Sequence, residues 1–459
     1  MNLLSNLNII LIFISITSIY SKESSMITVP LKVIHNGFEK YPLPNVTKIT
    51  IEKEVEVQTI FGPKIRKLKE EISGNITKLK CELFAAEIII AKTQKFNVIL
   101  DTGSVDLWVP GEGSNDTYEI EHHYKPSNTS KKLSDKFSIQ YGTGKTEGNY
   151  YTDFISFITK DRHDIKFGVA DKTDFEVDGV DGIMGLAKRY SLDQYSKIWT
   201  MYNKNIISSR SFSFKYFPED YVEMYLGDEH PDFDNNTNPN NTGDCQLLNQ
   251  GVYDKLLWTC RLYDFGLVSE DNKKNVSYSY KKSFLFDTGS NTMMLPLEIL
   301  TGLQAELSKF NCYVTTLDQY GDDVKLIACK DKNIVPNVFI EVGDNYLILD
   351  KDLMFFEYDE GLYILNVQFQ DKMDIALIGQ PFFRMFHTRF DYEKKKLKFY
   401  TEDESKIRFA SHKEEEKEID YEKIVIAVVV VFAFALAICF VLKCLRKTFC
   451  SSSKKVTKK

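Results

Sequence analysis

The sequence predicts a mostly-β protein of two related lobes with a cleft between them, followed by one C-terminal membrane-spanning helix. Three observations predict it. From Leu83 to Tyr400 the chain is a succession of short runs rich in Val, Ile, Phe, Tyr and Thr, punctuated by Gly, Asn and Asp. An apolar, strand-like run ending in Asp-Thr-Gly-Ser occurs twice, as Phe96-Asn97-Val98-Ile99-Leu100-Asp101-Thr102-Gly103-Ser104 and as Ser283-Phe284-Leu285-Phe286-Asp287-Thr288-Gly289-Ser290. Finally, Ile424–Leu442 carries no charge and is bracketed by Lys423 and Lys443.

At 459 residues the chain exceeds what one core accommodates. A hydrophobic fraction of 43% excludes global disorder. The net charge of −7 is uneven, because the basic tail after the apolar run contributes +7 and leaves −14 on residues 1–442. An acidic body argues against a nucleic-acid partner, for which a basic face is the footprint, and suits an acidic lumen.

Taken in order, Ile9–Ile19 has the length of a signal-peptide core, with Ser18 or Ser21 as cleavage positions and an uncleaved anchor as the alternative. Residues 22–80 are rich in Lys and Glu and contain Pro30, Pro42, Pro44 and Pro63; Val29–Leu31 and Ile49–Val57 read as strands, and Ile65–Ile72 as a short basic helix. A cationic segment ahead of an acidic body is the arrangement of a removable pro-segment. Lobes are expected over 81–210 and 211–402, with helices at Ser191–Tyr202 and Leu297–Phe310, a surface loop at Asp232–Asp244 and a charged stalk over 403–423. The run 424–442 spans roughly 28 Å at ~1.5 Å per residue, and the basic tail 443–459 places that end in the cytosol. This is the layout of a single-pass type I protein with its folded body luminal or extracellular, on the secretory or endolysosomal route or at the cell surface. Cys81, Cys245, Cys260, Cys312 and Cys329 would then face an oxidising lumen, and Asn45, Asn75, Asn115, Asn128, Asn235, Asn240 and Asn275 each begin a glycosylation sequon.

The body also repeats. Asp181-Gly182-Ile183-Met184-Gly185-Leu186 follows the first Asp-Thr-Gly-Ser, and Ala376-Leu377-Ile378-Gly379-Gln380 follows the second at a similar distance, consistent with duplication of a whole lobe. An ionised Asp at the end of a buried strand is costly alone. Two that meet cannot both ionise readily, so one keeps a proton while the other acts as base. Such a dyad can activate a water against a peptide carbonyl without cofactor, metal or covalent intermediate. Gly allows a tight turn close to the partner lobe, and the Thr and Ser hydroxyls can lock the pair in place.

These residues resemble the pepsin family of aspartic proteases over roughly Leu83–Tyr400. Further motifs fall in family order: Leu107-Trp108-Val109-Pro110 after the first dyad motif, and Phe137-Ser138-Ile139-Gln140-Tyr141-Gly142-Thr143-Gly144 like the flap hairpin that closes over substrate. The resemblance implies a bilobal pepsin-like fold with Asp101 and Asp287 catalytic, Thr102 and Thr288 holding the loops together, Gly103 and Gly289 in the turns, and Ser104 and Ser290 orienting the carboxylates. It makes Tyr141, with Gly142 and Thr143, the flap, Trp108 the hydrogen-bond partner of Tyr141, and Ile99, Ile183, Leu285 and Leu377 walls of apolar subsites. It implies a monomeric catalytic unit that takes a polypeptide substrate, and a Cys312–Cys329 disulfide.

There are departures. The loop Gly111–Thr129 lacks the cysteine pair usual there; Cys81, Cys245 and Cys260 have no obvious counterparts, and a Cys245–Cys260 bridge is the pairing adopted. Gln380 stands where the family often carries Asp, which is expected to move the acid limb of activity upward. In a pro-segment, Lys64, Arg66 or Lys67 would pair with the dyad near neutral pH. His122-His123 is read as an exposed loop, not a metal site. The rival from another class is a catalytically silent binding or adhesion protein that retains the fold, separable by Asp101→Asn and Asp287→Asn.

Overall fold

The computed structural model describes residues 26–409 except 38–47, 60–61, 74–79, 117–119, 142–143, 157–162, 176–178, 189–195, 218–220, 234–240, 270–273, 320–321, 360, 372 and 374. The expected signal peptide, the apolar run 424–442 and the basic tail therefore lie outside the described residues. Among those described, no helix is long and apolar enough to cross a membrane.

The body is built on two sheets, one of 13 strands and one of 14. Each contains the same local arrangement around an Asp-Thr-Gly-Ser turn. In the first, the strand Gln94–Asp101 lies between Lys80–Ile90, antiparallel, and Gly182–Gly185, parallel, which in turn pairs antiparallel with Leu107–Asp116. In the second, Lys274–Phe286 lies between Thr259–Val268, antiparallel, and Ala376–Ile378, parallel, which pairs antiparallel with Met293–Pro296. The two Asp-bearing strands end in unbroken apolar runs because both of their faces are covered: Val98, Leu100, Phe284 and Phe286 are completely buried. The duplicated motif in the sequence is thus a duplicated piece of sheet.

The first sheet also gathers strands from the far end of the chain. Ser211–Phe217 pairs with His387–Asp391, which pairs with Lys396–Tyr400. Phe212 stacks on Phe390 with ring centroids 4.8 Å apart, and the Trp258 ring meets Phe390 edge-on at 5.3 Å. The Trp258 indole N–H donates to the Leu186 carbonyl at 2.8 Å, joining the second half of the chain to the segment behind the first turn.

Several expectations change here. The stretch 65–72 is not a helix: Gly62–Ser73 is a strand, paired along its whole length with Lys48–Thr59, which reaches the strand Cys312–Gln319 through Thr50 and Ile51. An equal-length neighbour supplies ladder hydrogen bonds that local helical preference cannot outweigh. The strand Ile27–Gly37, expected within a removable segment, is interior to the first sheet, paired with Tyr221–Leu226 on one side and Lys80–Ile90 on the other. The beginning of the expected stalk carries a strand too, Ile407–Phe409, added to Asn345–Leu349. Of the first expected helix, Lys197–Asn203 is helical, capped by the Ser196 hydroxyl accepting from the Trp199 N–H, and 191–195 lie outside the described residues. The second runs over Leu297–Leu307 and ends in a tight turn, Ser308–Phe310, with Ile299, Leu300, Leu303 and Leu307 forming its buried stripe.

Both disulfides are present. Cys312 and Cys329 face each other directly across a hairpin, and Cys245 bonds Cys260.

Candidate active site

The two Asp-Thr-Gly-Ser turns meet, and their threonines exchange hydrogen bonds. The Thr102 N–H donates to Thr288 Oγ1 at 3.1 Å, and the Thr288 N–H donates to Thr102 Oγ1 at 2.9 Å. Each hydroxyl in turn donates a hydrogen bond to a carbonyl of the opposite strand, Thr102 to Phe286 at 2.8 Å and Thr288 to Leu100 at 2.6 Å. Both threonines are fully buried, so all four bonds are made in a medium where an unmade one is costly.

The glycines let the carboxylates approach. A Cβ on Gly103 would lie 2.6 Å from the Asp287 carboxyl, and one on Gly289 would lie 2.4 Å from Asp101 Oδ1. Each turn glycine donates its N–H to the aspartate of its own turn, Gly103 to Asp101 Oδ1 and Gly289 to Asp287 Oδ1, both at 2.8 Å. Burial, then the Asp101 charge, then a hydrogen bond shared with Asp101 hold the Asp287 carboxyl well above the ordinary carboxylate range. The pair therefore carries a proton under conditions where separate carboxyls would both be ionised.

The serines do not orient the carboxylates. Ser290 Oγ donates to the Thr292 carbonyl at 2.9 Å, and Ser104 Oγ is buried beside the Tyr141 hydroxyl without a hydrogen bond of ordinary geometry. In both turns the glycine N–H bonds an oxygen of its own turn's aspartate.

Above the first turn, Lys131–Tyr141 and Gly144–Ser156 form a hairpin in which Tyr141 pairs with Gly144; Gly142 and Thr143, at its tip, are outside the described residues. The Trp108 indole N–H donates to Tyr141 Oη at 2.9 Å. Burial and the Asp101 charge keep the Tyr141 hydroxyl protonated far beyond its usual range. Ile99 and Ile183 pair side by side and belong to an apolar cluster with Trp108, Phe137, Phe175 and Val180, against which Tyr141 packs. Leu285 and Leu377 are paired in the same way in the second sheet.

Several contacts around the site were not read from the sequence. Asp181 is a buried carboxylate that accepts the Asn97 N–H at 2.7 Å and the His122 N–H at 3.1 Å, pinning the start of the Asp101 strand. His122 and His123 are half-buried rather than exposed, facing Asp181 and Asp116 respectively at 3.1 and 2.8 Å; they tie down the loop that has no cysteine pair. Gln380 Nε2 donates to the Thr288 carbonyl at 2.6 Å. Phe175 and Val180 also join the apolar wall without any motif to announce them. Among the described residues, His230, Asp232 and His387 bring ligand-type atoms within 4.8 Å of one another. Lys215 Nζ already sits 2.8 Å from Asp232, and both His387 nitrogens are engaged, by Asp232 and by Ser213, so hydrogen bonds account for the group.

The family profile described as Eukaryotic aspartyl protease matches residues 84–401, and the chain belongs to that family. It is an aspartic protease, a hydrolase. Similar curated proteins include an aspartic protease of Phaffia rhodozyma, 29% identical over 54% of this chain and 59% of that protein. Chymosin of Callithrix jacchus is 25% identical over 68% of this chain and 79% of its own length, and vacuolar protease A of Aspergillus fumigatus is 24% identical over 68% and 77%. Among solved structures, the aspartic proteinase from Irpex lacteus shares the fold, with a TM-score of 0.54 at 15% identity, covering 70% of this chain and 94% of that one.

Proposed function

We propose that this chain is an aspartic endopeptidase that hydrolyses internal peptide bonds flanked by apolar residues, is made as a zymogen, and is anchored in a membrane by 424–442. The observation that carries the catalytic reading is the reciprocal seating of each aspartate against the other turn's glycine. Asp287 is the protonated member and Asp101 the base. Asp101 takes a proton from a water between them as its oxygen attacks the carbonyl carbon, and Asp287 donates to the carbonyl oxygen. The tetrahedral diol collapses with cleavage of the C–N bond: the proton held by Asp101 passes to the departing nitrogen, and one diol hydroxyl returns its proton to Asp287 as the carboxyl C=O forms. The Ile99–Ile183 wall beside the turn and the Tyr141 hairpin favour apolar side chains next to the scissile bond.

The zymogen reading narrows to the chain after Gly37. The strand Ile27–Gly37 has a sheet neighbour on each side, so its loss would expose two strand edges, whereas Lys48–Thr59 and Gly62–Ser73 pair chiefly with each other. The side chains of Lys64, Arg66 and Lys67 are outside the described residues. The test is digestion of a peptide library by the full-length protein from pH 3 to 7, with and without a pepstatin-type inhibitor. Inhibitor-sensitive cleavage beside apolar residues is expected; its absence in protein freed of residues 38–80 refutes the catalytic reading.

A further inference from the structure

Gln380 occupies the place behind the second turn that Leu186 occupies behind the first: each follows the glycine of the short strand parallel to its Asp-bearing strand. Their backbone N–H groups both bond the turn ahead, at different residues. The Leu186 N–H donates to the Asp101 carbonyl at 2.6 Å, and the Gln380 N–H donates to the Ser290 carbonyl at 2.8 Å. Their side chains differ in kind. Leu186 is core, while Gln380, 1% exposed, extends a carboxamide whose N–H reaches the Thr288 carbonyl at 2.6 Å. Its Oε1 is buried with no hydrogen-bond donor among the described residues. A buried polar atom left unmatched calls for an explanation; here the amide is retained for its one bond, which lands on the carbonyl of the residue after Asp287.

We propose that Gln380 is a positioning residue for Asp287. Together, its backbone N–H and its amide clamp the Thr288–Ser290 turn at two carbonyls, leaving the Thr288 N–H and hydroxyl free for the exchange with the first turn. Because a carboxamide does not titrate, the clamp persists at pH values where a carboxyl in its place would lose the donating proton. The inference rests on the dyad reading above and adds a residue that acts through Asp287 without touching substrate.

The experiment measures kcat and KM of wild type, Gln380→Met and Gln380→Glu on one peptide substrate across pH 3–7, with melting temperatures alongside. Met removes the donor at similar volume, so kcat should fall about 3- to 10-fold at every pH with KM little changed, the size of one hydrogen bond. Glu restores a donor when protonated, so at the acidic end it should recover most of what Met loses. As the Glu ionises, its activity should fall away at a lower pH than that of wild type. The proposal is overturned if Met retains wild-type kcat, if Glu is no better than Met at acidic pH, or if the Glu and wild-type profiles superimpose. Should Met fail to fold, the Glu profile alone decides. Retained hydrolysis in Asp287→Asn sinks the dyad reading and this proposal together; superimposed profiles with an inactive Asp287→Asn sink the proposal alone.

Discussion

The Asp101 and Asp287 turns have the same four residues, the same glycine N–H to aspartate bond and the same threonine exchange, yet their surroundings differ. The first turn lies under the Tyr141 hairpin and is backed by an apolar Leu186. The second is backed by a buried carboxamide, and its aspartate is the one driven toward its protonated form. What repeats is what holds the backbone. What differs is what lies around the two acids, and the proposed division into general acid and general base needs such a difference, since the two cannot be the same species.

The comparison breaks most sharply at the carboxylates. Asp101→Asn and Asp287→Asn should each reduce kcat by at least ~1000-fold, within the range that general acid–base groups supply; substantial turnover in either variant would show that one turn works alone. The next test is symmetry of the exchange. Thr102→Val and Thr288→Val each strip one acceptor and one donor from a buried network, and both should lose about 2–5 kcal/mol in urea unfolding. A difference beyond ~1 kcal/mol between them would mean the reciprocity is geometric only.

Stability against pH sharpens the contrast further. Asp287 binds its proton more tightly folded than unfolded, so its contribution is complete below the ordinary 3.8 and is lost as pH rises through the folded value. Asp287→Asn should therefore melt higher than wild type near neutrality, with the gap closing below pH 4. His387, away from both turns, behaves oppositely. Burial pushes it down to about 4 from 6.5, against the pull of Asp232. The neutral ring stabilises the fold above pH 6.5, and roughly 3 kcal/mol should be lost as pH falls from there through the folded value. Melting curves of His387→Asn should lack that acid-side decline; if they retain it, another group sets the limit. The smallest effect is expected at the Tyr141 hairpin beside the first turn. Tyr141→Phe leaves the Trp108 N–H unpaired and should cost about 5-fold in kcat/KM, the worth of one neutral hydrogen bond.

Much of this was legible beforehand because it depends on local chemistry. A buried apolar run ending in Asp-Thr-Gly-Ser states its own strand, its turn and its need for a partner. Trp108 and Tyr141 could be paired by resemblance, as could Cys312 and Cys329. The serines misled because a hydroxyl beside a carboxylate in sequence has other acceptors in space; Ser290 finds the Thr292 carbonyl. The segment 65–72 misled because its charge pattern suits a helix, while its ladder partner, Lys48–Thr59, lies upstream.

By itself, then, the sequence determined the two acids, the residues that let them approach, and the β-rich lobes that carry them, since each follows from periodicity, burial and turn chemistry within a few residues. Only the tertiary structure decided that burial and the Asp101 charge push the Asp287 carboxyl up, that the Gln380 amide reaches the Thr288 carbonyl, that Asp181 and the paired histidines brace the first turn, and that Ile27–Gly37 is part of the sheet that carries Asp101. Those outcomes depend on distances between groups far apart in the chain, and on the low dielectric that folding creates around them.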